Sequence, residues 1–314
     1  MTAIYGAAGA AVGFVALVLV LEFLAPQAMT RLWLGLERWR AGLERKSQRI
    51  GGGIEMPYLE GGAGDVLLLV HGFGGDKDNF TRMAGALTRR YRVIIPDLPG
   101  FGEATRDPQL SHAVPDQVRR LHEFASALGL QRFHLGGNSM GGFIATEYAA
   151  TYPAQVSSLW LLDPAGTAAA HDSAMLQHYQ ATGDTPLLLR SADEIGPLLK
   201  AIAERPPLLP PSVKTVLANR AVADHALHAK VLEQLVHASP TLEDRLPTIT
   251  APTLVVWGTE DRILHPKGAA ALQALLPRCR VNLMAGIGHV PMMEVPQVTA
   301  ADYLRFRAEL QTQA

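Results

Sequence analysis

Cysteine is almost missing from this chain: among 314 residues only Cys279 is present. An intrachain disulfide framework and a multi-cysteine metal site are therefore excluded. Cys279 itself lies in an apolar, strand-like run and reads as core rather than as a nucleophile. A surplus of positive charge is also missing, with 28 Lys and Arg against 29 Asp and Glu. That balance leaves no electrostatic footprint for nucleic acid. No internal repeat or low-complexity tract occurs. Charge is absent altogether from Ala3 to Leu21, "AIYGAAGAAVGFVALVLVL", and no Lys or Arg precedes Arg31. The basic start and small-residue cleavage site of a secretory signal are lacking too.

What is present is a chain 48 % hydrophobic, long enough for one large α/β domain with a substantial core. The uncharged N-terminal stretch has the length that spans a bilayer, so residues 1–26 are expected to form an uncleaved anchor. A signal peptide and a helix docked on the domain are the competing readings. Beyond it, "RLWLGLERWRAGLERKSQR" carries Arg31, Arg38, Arg40, Arg45, Lys46 and Arg49 against Glu37 and Glu44, with Trp33 and Trp39 interleaved. Aromatics at headgroup depth and cations over anionic lipid make this an interfacial helix; a solvated basic linker is the alternative. The expected division is thus an anchor over 1–26, a basic helix and glycine linker over 27–53, and a folded domain over 54–314. Basic residues on the C-terminal side of the apolar segment place that domain in the cytoplasm by the positive-inside bias.

From residue 54 onward short β-rich runs alternate with helical patterns, the signature of βαβ units and a mostly parallel sheet. Strands are expected at Val66–Val70, Val93–Ile95, Phe133–Leu135, Ser158–Leu162, Thr253–Trp257 and Arg280–Leu283. Between about residues 167 and 245 the strand signal stops and several helices are expected. An all-helical insertion between two strands of one sheet is most economically a cap over its C-terminal edge, where open α/β sheets bind ligands.

One serine is boxed by glycines: Gly137-Asn138-Ser139-Met140-Gly141. This is G-x-S-x-G between a strand and a helix, a strained turn that lifts a nucleophilic hydroxyl clear of the sheet. A serine needs a base, and His289 in "GIGHVPMMEVP" follows the last strand at its C-terminal end. His71 lies in the "HGFGG" turn and is expected to bond locally. His225 and His228 are spaced like metal ligands but lack a third, so no metal is expected. The base needs an orienting acid. Asp261 in "GTEDRIL" gives the chain order Ser–Asp–His; Asp163 in "LLDPAG" is the competitor from an earlier strand end. Glu260 should point away. For the oxyanion, the backbone N–H groups of Met140 and of Phe73, directly after a strand in "LLLVHGFGG", are the expected donors.

"HGFGGDKDNF", "VIIPDLPGFG", "GGNSMGG", "WGTEDRI" and "GHVPMME" together resemble the α/β-hydrolase fold, in particular its lipase and monoacylglycerol-lipase branch, over about residues 58–310. The resemblance implies a central, mostly parallel sheet with helices on both faces and an inserted cap. It implies hydrolysis of carboxylic esters with apolar acyl chains through an acyl-serine intermediate, without metal or cofactor. Ser139, Asp261 and His289 would be nucleophile, acid and base. Lipid-like or small esters and a membrane surface are the expected partners; oligomeric state is left open. Serine at the elbow argues against the branches whose nucleophile is aspartate. The carbon–carbon bond hydrolases of aromatic breakdown share the triad and are the alternative, and a non-enzymatic ligand receptor on this fold is a more distant one.

Overall fold

The computed structural model describes residues 16–312, so most of the expected anchor lies outside the described residues. Eight strands form one sheet: β1 Leu43–Arg49, β2 Glu55–Gly61, β3 Val66–Val70, β4 Arg92–Pro96, β5 Phe133–Asn138, β6 Val156–Leu162, β7 Thr253–Gly258 and β8 Cys279–Met284. Their spatial order is β1-β2-β4-β3-β5-β6-β7-β8. From β4 through β8 every neighbouring pair is parallel, and β1 and β2 add an antiparallel edge.

The parallel strands β3 to β7 are largely buried on both faces, which is why most of them read as apolar runs, whereas the edge strand β8 is half-exposed. Leu68 and Val70 of β3 face one core, together with Leu135, Leu161, Val255 and Trp257. Leu67 and Leu69 face the other, with Trp160, Leu162, Leu254 and Val256. Each fully buried Leu or Val stabilises by about 1.5–3 kcal/mol relative to exposure. All six expected strands are present: β3 has the expected bounds, β5 runs three residues further, and the other four are longer by one or two residues at one or both ends.

The N-terminal region departs from expectation. The basic stretch is helical only over Pro26–Arg40 and continues as β1, "LERKSQR". Gly51–Gly53 is a 3₁₀ turn inside the β1–β2 connection rather than a linker between domains. The folded domain therefore starts before residue 54. Four of the six cations expected to face lipid are instead ion-paired within the fold: Arg38 with Asp78, Arg45 with Glu103, Lys46 with Glu60 and Arg49 with Glu55. An edge strand studded with charge resists pairing with another chain, which accounts for the composition of β1 without a membrane.

No single described helix is long and apolar enough to cross a membrane; Ala16–Leu24 and Pro26–Arg40 pass that test only as a pair bent by 116°. Leu17, Leu19, Val20, Phe23 and Leu24 are exposed on the first of them. Glu22 is buried, accepting from the N–H of Ser212 at 2.8 Å and from Trp33 Nε1. The helix Pro26–Arg40 lies along the helix Pro211–Ala223.

Pro211–Ala223 belongs to the expected insertion. Between β6 and β7 the chain forms helices Ala168–His171, Ala174–Thr182, Ile195–Ile202, Pro211–Ala223 and His225–His237, with no strand. Because β6 and β7 pair directly, the insertion rises from the C-terminal edge of the sheet as a cap.

Candidate active site

At the end of β5 every residue from Phe133 to Thr146 is buried except Ser139. Its backbone is at φ 56°, ψ −120°, a conformation that L-residues with a side chain rarely adopt and that persists only when surrounding structure holds it. Here the Ser139 N–H donates to Leu162 O at 3.0 Å, and its carbonyl accepts from Phe143 and Ala165. The glycines are required by close approach: a Cβ on Gly137 would lie 2.2 Å from Gly141 O, and one on Gly141 would lie 2.1 Å from Val70 O.

His289 lies in the loop after β8, before the short helix Pro291–Glu294. Its Nδ1–H donates to Asp261 Oδ2 at 2.8 Å, which leaves Nε2 as the accepting nitrogen. Asp261 is itself held, its Oδ1 accepting from the N–H groups of Ile263 at 2.8 Å and Leu264 at 3.0 Å. Asn138, beside the serine, donates Nδ2 to the His289 carbonyl at 3.0 Å and to Leu162 O at 3.0 Å. One amide thus ties the serine turn to the histidine loop. Glu260 is exposed, as expected.

The competitor carboxylate is at the same place. Asp163 is fully buried at the end of β6, with φ 44°. Its Oδ1 accepts from Gly258 N–H at 2.8 Å, and its Oδ2 has no donor. Asp163, Asp261 and His289 each place one polar atom within 4.8 Å of the others. The direct bond to Nδ1 is made by Asp261.

The turn after β3 packs against the serine: a Cβ on Gly72 would lie 3.1 Å from Ser139 Cβ. His71 is internal to this turn. Its Nδ1–H donates to Gly72 O at 2.8 Å while Nε2 accepts from Leu98 N–H at 3.0 Å. Burial lowers its pKa, so it stays neutral and structural. Below the turn, Lys77 and Asp97 form a buried pair at 2.8 Å, and Asp97 also accepts from the Lys77 and Glu103 N–H groups. Phe73 packs edge-on against Phe101 and His228. His228 is buried beside Gly100 O, and His225 bonds Leu189 O. Neither joins a metal-capable cluster among the described residues. Burial pushes the Cys279 thiol up to about 11, in keeping with an inert role.

Above the turn is a cavity of about 180 Å³ walled by the cap, with Leu199, Val213, Val216 and Leu217 among its apolar lining. Ile202 also lines it, and its carbonyl accepts from His289 N–H at 2.9 Å. The charged side chains that line it are ion-paired. Arg220 of the cap meets Asp76 of the β3 turn at 2.5 Å, and Arg106 meets Asp224 at 2.9 Å. Burial pushes the Asp76 carboxyl up, yet Arg220 and Lys77 outweigh it and hold it below its ordinary value. Thr30 and Leu34 of the helix Pro26–Arg40 complete the wall. Sequence reasoning missed the Asp76–Arg220 latch and the packing of this expected helix against the cap. The partners are 144 residues apart, and no local pattern links them.

A family profile described as alpha/beta hydrolase fold matches residues 65–296. Lipase 1 of Psychrobacter immobilis is 42 % identical over 299 residues, covering 92 % of this chain and 93 % of that protein. Human monoacylglycerol lipase ABHD6 is 30 % identical over 254 residues, 78 % of this chain and 75 % of that one. A crystal structure of a membrane phospholipase A superposes with a TM-score of 0.89 at 40 % identity, covering 99 % of each chain.

Proposed function

Because the chain belongs to the α/β-hydrolase fold family, we propose that it is a serine hydrolase of carboxylic esters, of the lipase and monoacylglycerol-lipase kind. The observation that carries this reading is the His289–Asp261 hydrogen bond of 2.8 Å, held beside the one unburied residue of the Gly137–Gly141 turn. Ser139 Oγ attacks the ester carbonyl as His289 Nε2 takes its proton. The same nitrogen then returns the proton to the departing alcohol. Asp261 keeps Nδ1 protonated and stabilises the imidazolium. The N–H groups of Met140 and Phe73 receive the oxyanion in a fixed, water-poor position. Water attacks the acyl-serine by the reverse of these steps.

The apolar lining of the cap cavity supports acyl chains as the preferred acid moiety. Each methylene buried there gains about 0.8 kcal/mol, roughly fourfold in kcat/KM, until the cavity is full. Rates over p-nitrophenyl esters are therefore expected to climb from acetate toward octanoate. A flat or falling series would remove the lipid-like substrate.

Attachment to a membrane through the apolar N-terminal stretch is part of the same reading. It is supported by the exposed Leu17, Leu19, Val20, Phe23 and Leu24 and by the latch of Glu22 onto the cap, which would hold the cavity near the bilayer. Arg31 and Arg40, which have no ion-pair partner among the described residues, follow the apolar stretch and favour a cytoplasmic domain. Protease added to sealed spheroplasts should leave the domain intact; rapid digestion would reverse the sidedness, and release by carbonate would remove the spanning anchor.

A further inference from the structure

Two carboxyl groups share the buried pocket behind the candidate base, and only one of them has a donor on every oxygen that the site uses. Asp261 accepts from Ile263, Leu264 and His289. Asp163 accepts once, from Gly258, and its Oδ2 is buried without a donor, with atoms of Asp261 and His289 inside the same 4.8 Å cluster. An oxygen facing another carboxylate in a site closed to water is satisfied only if one of the two carries a proton.

We propose that Asp163 is a positioning residue that works as a neutral carboxylic acid: its Oδ2–H donates to the Asp261 carboxylate and holds it aimed at His289. The proton belongs on Asp163 because Asp261 already has three donors, which favour the ionised form, while Asp163 has one. The charged and titratable groups facing it have the same consequence. Burial raises its carboxyl well above the usual range, the Asp261 charge raises it further, and Glu294 adds a second negative charge, against the single lowering contact from Gly258 N–H. His289 is the one cationic candidate nearby, and Asp261 stands in direct contact with it. The local backbone gives the acid no freedom to turn away. Its N–H is bonded to Val256 O at 2.9 Å. At Gly258, whose N–H holds Oδ1, a Cβ would strike Gly288 O at 2.1 Å, so the loop carrying His289 closes directly over this contact.

The inference rests on the Asp261–His289 reading above, so the experiment includes a variant for each. Full-length Asp163→Leu, Asp163→Asn and Asp261→Asn are purified, and kcat and kcat/KM for p-nitrophenyl butyrate are followed across pH. Asp163→Leu is expected to lose roughly tenfold to a hundredfold in kcat, the scale of a lost hydrogen bond to a charged group. Asp163→Asn, whose amide both accepts from Gly258 and donates to Asp261, should rescue most of that loss. The acid limb of kcat/KM reports the pKa of the base in the free enzyme. If Asp163 is neutral, Asp163→Asn leaves that limb in place. If Asp163 were ionised, the substitution would remove a negative charge beside His289 and move the limb down by roughly one pH unit or more.

A downward shift of that size, no rescue by asparagine, or full activity in Asp163→Leu would each overturn the proposal. If Asp163→Leu does not fold, the limb of Asp163→Asn decides alone. Loss of wild-type activity on dialysis against EDTA, restored by a divalent cation, would place a cation rather than a proton between the carboxylates and overturn it as well. An active Asp261→Asn would bring down the underlying assignment instead; an inactive one beside a shifted Asp163→Asn profile brings down this inference only.

Discussion

Ser139→Ala is expected to remove ester hydrolysis by several orders of magnitude in kcat while the protein stays folded. The nucleophile of a cooperative triad has no substitute, and what survives its removal is the modest contribution of binding and the oxyanion donors. The fold should tolerate the change because the hydroxyl is not what holds the turn. The Ser139 backbone makes three hydrogen bonds, to Leu162, Phe143 and Ala165, and alanine keeps all of them. The retained φ near 56° is no harder for alanine than for serine. Initial rates on a short p-nitrophenyl ester, with circular dichroism to confirm folding, check this. Activity above about a tenth of wild type corresponds to less than ~1.4 kcal/mol of barrier, and would take the nucleophile's role away from Ser139.

Asp261→Asn should be nearly as damaging, on the order of 10³ to 10⁴ in kcat. The asparagine side chain offers its amide nitrogen or its oxygen to Nδ1. Its oxygen is wanted simultaneously by the Ile263 and Leu264 N–H groups that now bind Oδ1. With the oxygen turned to those donors, the amide N–H₂ faces His289 and selects the tautomer with the proton on Nε2, the wrong nitrogen for a general base. Loss of the negative charge also removes support for the imidazolium. Asp163→Asn should fall far short of this loss, because Asp163 does not make the Nδ1 bond. A reversed ranking of the two variants would move the orienting acid to the end of β6.

Much of this site was legible because its chemistry is written locally. The Gly137–Gly141 turn needs small residues at fixed offsets, since any Cβ there would enter a neighbouring backbone. Asp261 follows an apolar run and His289 a strand-like one, and strand ends of a parallel sheet share one edge. The cap showed itself as helices interrupting strands. The β1–β2 hairpin was not legible for equally physical reasons. β1 is polar on both faces with only Leu43 buried, so it has no period-two signal. β2 carries Pro57 in its middle, which ordinarily argues against a strand with partners on both sides.

The sequence by itself therefore pointed to the sheet's parallel half, to the cap and to the serine and histidine of the proposed triad, because each is signalled by contacts within a few residues or by strand-like runs. Only the tertiary structure decided which carboxylate meets His289, since Asp163 and Asp261 both follow strands and differ only in where the loops of β6 and β7 direct them. It likewise decided the fate of the basic N-terminal stretch. Arg38, Arg45, Lys46 and Arg49 find Asp78, Glu103, Glu60 and Glu55, most of these acids distant in the chain. An isolated run of cations looks the same whether lipid or distant carboxylates will neutralise it, because charge pairing is a property of proximity in space.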